Sequence, residues 1–344
     1  TPEGLKEVML GRVPLWPLVV GIVMVASGCD NVSWGGLDVS LRPPSSDTAG
    51  APEDTAQAPA PEEPSSTLGA VLYAGVRSGN RARVVPVAEI TADGLQPIGG
   101  DSVGALAADQ ILRNRLRPGA ILTLFHQGVR VGNLVVDETD EAPSDYCQPR
   151  PGGSGQLLLS PDAMEAGQFV ALDEGRGGPQ SFQPYRELSS VYDQRVASLN
   201  LGSEAIPLIG APWPPSLLEI RQDLQILPIS GTGAPAVMAT FMHQDQLQVG
   251  PAPNQAYALM VLGEPRGSRF ELVFTWYRPV ATEGKGAPRY FSRMDWDGDG
   301  EQEILLEVLG ADSRWFAALD RGAEGWTVSY QDPCGAPGAQ GGGG

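Results

Sequence analysis

Asp295-Trp296-Asp297-Gly298-Asp299-Gly300-Glu301-Gln302-Glu303 runs straight into the apolar stretch Ile304-Leu305-Leu306-Glu307-Val308-Leu309. Three aspartates stand at alternate positions, the third with glycine on either side, and Glu303 follows at the ninth position. Glycine lets a chain turn tightly, so alternate side chains of such a loop can aim oxygens at one centre. Hard oxygen donors in that number suit Ca²⁺, which accepts about six to eight of them. Without a cation, carboxylates this close repel one another, and metal binding removes that cost. The short apolar run that follows reads as a buried strand, so the loop is a connection inside β structure. The alternative is a solvated Asp/Gly turn that holds no ion.

The loop is not an EF-hand, which needs a bidentate acid at its twelfth position and a helix after it. Leu306 occupies that position here, and a strand begins at once. The arrangement instead resembles the calcium loop of FG-GAP repeats (integrin-α-like, VCBS-type), which lies between strands of β-propeller blades. The resemblance covers about 15 residues, 295–309. It implies side-chain ligands at Asp295, Asp297 and Asp299, a backbone carbonyl ligand at Glu301, and a fifth ligand at Glu303. The family more often has Asp at that last place, so Glu303 has to reach further. Residues 228–241 align with 295–308 at a constant offset of 67, with Gly231 on Gly298, Gly233 on Gly300 and Val237 on Ile304. Pro228, Ser230 and Thr232 stand in place of the three aspartates. Two propeller-like repeats are therefore implied in the C-terminal half, one keeping the metal and the other only the turn. Propellers take at least about four blades, so either degenerate blades lie upstream or the repeats form a smaller β-domain. Coincidence is the alternative reading of the repeat.

Outward from the loop the chain reads as mainly β with a few helices, a β-rich α+β protein. Its 44 glycines and 31 prolines suit many turns. Ala70–Val76 and Arg83–Ile90 flank Ser78-Gly79-Asn80 as a hairpin. Ile121–His126 and Val129–Val136 flank Gln127-Gly128 as another, and Gln156–Leu159 and Gln168–Leu172 add strands. Gly152-Gly153-Ser154-Gly155 reads as a loop. Apolar spacing predicts helices over Ala105–Leu116 and Tyr185–Leu201, the second stopping at Gly202. Trp213-Pro214-Pro215 marks a soft boundary. Beyond it, Phe270–Tyr277, Trp315–Leu319 and Trp326–Tyr330 read as strands. The expected domains are 68–212, β-rich with two helices, and 213–334, β-rich with the repeats. A glycine-rich tail, 335–344, is expected to be disordered.

The first 67 residues read as an address and a spacer. Lys6 and Arg12 precede an apolar run from Val13 to Val25, too short for a membrane span of about 20 residues. Val25-Ala26-Ser27-Gly28-Cys29 follows, and residues 9–29 resemble a bacterial lipoprotein signal. Ala26 departs from that pattern, which favours a large aliphatic three places before the cysteine. The resemblance implies cleavage after residue 28 and acylation of Cys29, whose sulfur is nucleophilic enough to take a diacylglycerol. Two or three acyl chains, at about 0.8 kcal/mol per buried CH₂, hold a protein stably on a bilayer. It further implies residence in the bacterial cell envelope. Asp30 resembles an inner-membrane retention signal, but that rule is not general, and the choice of membrane stays open. An ordinary cleaved signal or a short anchor helix is the alternative. Residues 29–67 then form the lipidated end and a linker. Pro43, Pro44, Pro52, Pro59, Pro61 and Pro64 lie among Ala, Ser, Thr and acids there, which keeps such a segment extended and unpacked.

Charge and composition exclude some functions. The formal net charge is −18, and loss of residues 1–28 leaves it unchanged because Lys6 and Arg12 are offset by Glu3 and Glu7. So acidic a body repels nucleic acid, and membrane contact has to come through the lipid on Cys29. His126 and His243 are the two histidines, too few for a multi-histidine metal site. With Cys29 acylated, Cys147 and Cys334 remain as an even pair in an oxidising compartment and are expected to form a disulfide, with two separate thiols as the alternative. No Gly-x-Ser-x-Gly elbow, phosphate-binding glycine loop or His-Glu-x-x-His motif occurs. The expectation is a non-catalytic, calcium-stabilised binding or scaffold module of the cell envelope, with an envelope protein or glycan as ligand. An envelope hydrolase acting on glycan or peptide, by paired carboxylates, is the alternative. A maturation factor for other envelope proteins is a third reading.

Overall fold

The computed structural model describes residues 68–99, 102–141, 145–175, 188, 190–229 and 234–337. The expected signal, Cys29 and the spacer lie outside these residues, as does the tail from 338 onward. The described residues belong to one compact unit.

Alternation of apolar side chains sets up the first layer. β1 (Ala70–Ser78), β2 (Arg81–Thr91), β4 (Ile121–His126), β5 (Val129–Glu141), β6 (Pro151–Leu159) and β7 (Gln168–Asp173) pair in the order β1-β7-β4-β5-β6-β2, and β2 pairs back to β1. All these pairings are antiparallel, so six strands close a barrel. The short β3 (Gly94–Gln96) pairs with the end of β2. Val71, Tyr73, Val84, Leu122, Leu124 and Phe169 share one buried cluster with Leu112 and Leu116, at the end of α1 (Ser102–Arg115). Their immediate neighbours Leu72, Val85, Phe125 and Val170 belong to a different cluster. That period of two is what a strand with both faces buried requires.

The expected loop at Gly152–Gly155 is instead part of β6. A Cβ on Gly155 would lie 2.0 Å from the Val135 carbonyl oxygen of β5. The glycines are therefore there to let two barrel strands approach closely, where the sequence suggested a turn.

Two four-stranded antiparallel meanders follow. The first is β8 (Arg221–Leu227), β9 (Ala236–His243), β10 (Tyr257–Arg266) and β11 (Arg269–Pro279). The second is β12 (Ala287–Met294), β13 (Glu303–Leu309), β14 (Arg314–Gly322) and β15 (Gly325–Gln331). Among the described residues no third such meander occurs, and the upstream strands make the barrel. The two aligned stretches, 228–241 and 295–308, hold equivalent places, each spanning the connection from first to second strand of its meander and nearly all of that second strand. Gly231 and Gly233 fall outside the described residues.

The layers stack. Leu305, Phe316 and Ala318 of the second meander pack with Leu72, Phe125 and Val170 on the outside of the barrel. Its other face, with Leu306, Val308 and Trp315, packs on Met238, Met260 and Leu262 of the first meander. The far face of the first meander, with Val237, Ala239 and Phe241, is covered by Leu201, Ala205 and Ile206 of α2 (Tyr192–Ile209). Strands from both sides of the expected boundary at 213 thus share cores. That boundary falls in the connection from α2 to α3 (Leu217–Ile220), and α4 (Val280–Glu283) is the remaining helix. No helix among the described residues is long and apolar enough to cross a membrane.

α2 does not stop at Gly202. It runs on to Ile209 and ends at Gly210, whose φ of 69° gives a left-handed cap. Gly202 lies inside the helix because the Phe241 ring takes the space a side chain would need, 3.0 Å from where its Cβ would be.

Cys147 and Cys334 are bonded, with Cα atoms 6.1 Å apart and a sequence separation of 187. The bond ties the connection before β6 to the turn after β15. Gly335, expected to open the tail, is buried in that turn, and Arg278 Nη1 donates to its carbonyl at 2.8 Å.

Candidate metal centre

β12 ends at the buried Met294 and β13 begins at Glu303, so the acidic loop joins adjacent antiparallel strands. Its shape comes from its own side chains. Asp295 accepts from Gly298 N through Oδ1 at 2.7 Å and from Gly300 N through Oδ2 at 3.1 Å. Asp297 Oδ1 accepts from Asp299 N at 3.1 Å, and Asp299 Oδ1 from Glu301 N at 2.8 Å. These turns need left-handed backbone at Gly298 (φ 85°) and Gly300 (φ 94°), where a side chain would be strained.

One carboxylate oxygen from each of Asp295, Asp297, Asp299 and Glu303 lies within 4.8 Å of all the others. The sequence therefore named four residues that do come together. The Glu301 carboxylate is not part of this cluster and lies 3.8 Å from Arg321.

Burial grades across the cluster. Asp297 and Asp299 are exposed, Asp295 is half-buried, and Glu303 is 2 % exposed. Glu303 Oε2 accepts from Trp296 N at 2.9 Å, while Oε1 is buried with no hydrogen-bond partner. Burial, and after it the charges of Asp297 and Asp295, push the Glu303 carboxyl up to about 8, against the pull of the Trp296 amide. A desolvated acid with an unused oxygen, facing three more acids, fits a divalent cation. The donor set is all oxygen, which is the calcium preference. The extra methylene of Glu303, relative to Asp, brings its carboxylate out from the start of a buried strand to the loop.

The two histidines are structural. His243 is buried and stacks on Tyr257 at 4.8 Å, and burial lowers its pKa. His126 Nδ1 lies 2.7 Å from the Gln168 carbonyl, and its ring packs edge-on to Phe169. His126 also lines a cleft with Glu165, Gln225, Tyr290 and Arg293. Sequence reading missed that cleft. The acids whose pKa burial raises, Asp223, Glu303 and Asp332, are not among its lining residues; the acid there is the exposed Glu165.

No protein-family model, curated protein or solved structure matches the chain. The calcium-loop reading therefore stands on the loop's residues and their geometry.

Proposed function

We propose that this chain is a membrane-anchored lipoprotein acting as a non-catalytic, calcium-stabilised binding or scaffold module of the bacterial cell envelope. Lipid on Cys29 holds it to a membrane, and the Pro-rich segment to residue 67 spaces the β-rich body from the surface. Ca²⁺ sits among Asp295, Asp297, Asp299, Glu303 and the Glu301 carbonyl, where it fixes the β12–β13 turn and adds folding energy without doing chemistry. An envelope protein or glycan is the ligand.

The observation that carries the calcium part is the buried Glu303 carboxylate, clustered with three aspartates and with one oxygen, Oε1, that has no hydrogen-bond partner. Among the described residues that line the cleft Glu165 is the one acid, where paired-carboxylate hydrolysis uses two. Calorimetry of the full chain with CaCl₂ should give a saturable heat that Asp297→Ala lacks. Identical traces for the two proteins would remove the ion from this reading. Mass spectrometry of the mature protein should find acyl mass on Cys29 and none in Cys29→Ser; an N-terminus that still carries residues 1–28 would remove the anchor.

A further inference from the structure

β11 and β15 are the last strands of the two meanders, and among the described residues each is paired on one side only. They lie against each other, and a groove of ≈ 230 Å³ opens between them. Five consecutive residues of β11, 274–278, line it, together with Val328 and Gln331 of β15. Side chains of a strand alternate between faces, so consecutive residues share a wall only where the backbone edge itself forms it. We propose that this edge docks an extended, non-acidic segment of a partner protein, which adds to β11 as a further strand. This names the ligand class of the binding module proposed above and rests on that reading, but not on calcium.

The edge has open hydrogen-bonding positions. Val280 N donates to the Ala256 carbonyl at 3.0 Å, one step beyond the Tyr257–Pro279 pair, which fixes the phase of the β10–β11 ladder. Trp276 and Arg278 therefore turn their main-chain groups toward Met260 and Ala258 of β10, while Thr275 and Tyr277 turn theirs away from it. No described residue bonds the outward main-chain groups of Thr275 or Tyr277. Trp276, 8 % exposed, also lines the groove, and its indole N–H has no hydrogen-bond partner. A buried donor without an acceptor is costly, and an added strand brings carbonyls to that wall.

Native edges are commonly blunted by charge, by proline or by a covering element. Residues 272–277 carry neither charge nor proline and are rich in β-branched and aromatic side chains. An edge left open in that way is a template for another chain. The occupant is a partner and not a second copy, because two bodies of net charge −18 repel each other; the same field turns away an acidic segment. The groove is also smaller than small-molecule sites, which run from about 300 to 1,000 Å³.

The test is fluorescence anisotropy of the full chain with a labelled strand peptide, acetyl-Lys-Val-Thr-Val-Thr-Val-Thr-Lys-amide. Binding should saturate, and glutamate in place of both lysines should weaken it about tenfold or more. A strand bonds an edge through alternate residues only. Of two further peptides, one N-methylated at its valines and one at its threonines, at least one should therefore lose about tenfold or more. Thr275→Pro removes an outward N–H, which an edge strand tolerates, and should lose about tenfold. Because that change could still bend β11, Val328→Arg is a second variant. It sets a long side chain across the groove and should weaken the peptide severalfold at an unchanged melting temperature. Failure of every peptide to bind, N-methylated peptides that both bind like the parent, or undiminished binding by both variants overturns the docking edge. Equal binding of the lysine and glutamate peptides overturns the non-acidic assignment. Light scattering of Cys29→Ser, which takes no lipid, should find a monomer; a dimer that Val328→Arg dissociates would give the edge to a second copy and overturn the partner. Peptide failure beside a calcium heat and an acylated Cys29 leaves the binding module standing, and peptide binding without them leaves the edge.

Discussion

Trp296 and Glu303 close the acidic loop at its neck: the Trp296 backbone N–H donates to Glu303 Oε2 at 2.9 Å, seven positions along the chain. The Trp296 indole, 6 % exposed, is packed in the core shared by barrel and second meander. The loop therefore has a fixed base and a wet rim. Three aspartates project from a turn they themselves hold, toward one buried carboxylate whose second oxygen has no protein partner.

That relationship makes Glu303→Gln informative. Glutamine keeps an oxygen for the Trp296 amide and removes a buried charge, so the metal-free protein should lose little stability. Calcium should then fail to stabilise it. For the native chain at about one hundred times the dissociation constant, calcium adds about 2.7 kcal/mol. In a body of this size that raises the melting temperature by roughly 5–10 °C. Thermal melts of both proteins, in chelator and in CaCl₂, check this. An equal calcium shift in the variant would take Glu303 out of the ligand set.

Gly155→Ala should be among the most damaging single-methyl changes in the barrel. The new Cβ would meet the Val135 carbonyl at 2.0 Å, and strand backbone cannot yield as a side-chain tip can. A loss on the order of 3 kcal/mol is expected. Gly167→Ala is the control, since nothing lies within 4 Å of its Cβ position. Chemical denaturation of the two variants should separate them by most of that amount, and equal midpoints would contradict the close approach of β5 and β6.

The same residues show what the sequence could and could not reveal. Ile121–His126 was legible to the residue, and the hairpin about Gly79 nearly so, because short strands broken by turn residues carry their own signal. β9 and β13 are buried along their whole length between layers, so alternation is absent there and only the run of apolar residues marks a strand. β10 and β12 gave less still, since proline, glycine and arginine interrupt them. Closure of the barrel needs the long-range pairings of β1 with β7 and of β2 with β6, which no local pattern encodes. Gly152–Gly155 and Gly202 misled for one reason: glycine there serves a neighbouring backbone or ring, not a turn. At the acidic loop the four clustered carboxylates lie within nine residues and were readable. The cleft draws on five separate segments and was not.

Cys147 and Cys334 enclose most of the second half of the chain, including both meanders. For so long a loop the chain-entropy estimate is about 5 kcal/mol, and native small-domain disulfides are worth about 2–5 kcal/mol. Cys147→Ser with Cys334→Ser should therefore lower stability by several kcal/mol without changing the fold. Non-reducing peptide mapping of the native protein should recover the two cysteines in one cross-linked peptide. Denaturant midpoints that do not differ between native and double variant would show that the bond contributes nothing.

Asp332 supplies the pH dependence. Its carboxylate is 5 % exposed and accepts from Phe316 N at 2.9 Å and from Tyr330 OH at 2.5 Å. Burial raises its pKa, with the Phe316 and Tyr330 hydrogen bonds and the Arg150 charge pulling the other way. A carboxyl whose folded value lies above its unfolded value of about 3.9 binds a proton more tightly when folded. Its contribution to stability is then full below about pH 4 and is lost as pH rises through the folded value. Asp332→Asn keeps an acceptor for Phe316 N and presents an amide to the Tyr330 oxygen, with no proton to lose. The melting temperature of the native chain minus that of the variant should therefore fall steadily as pH rises above about 4. Asp223 and Glu303, also raised by burial, titrate in both proteins and cancel in the difference. Melts in chelator at intervals across that range measure it, and a difference that stays flat, or grows with pH, would mean that the hydrogen bonds outweigh the burial of Asp332.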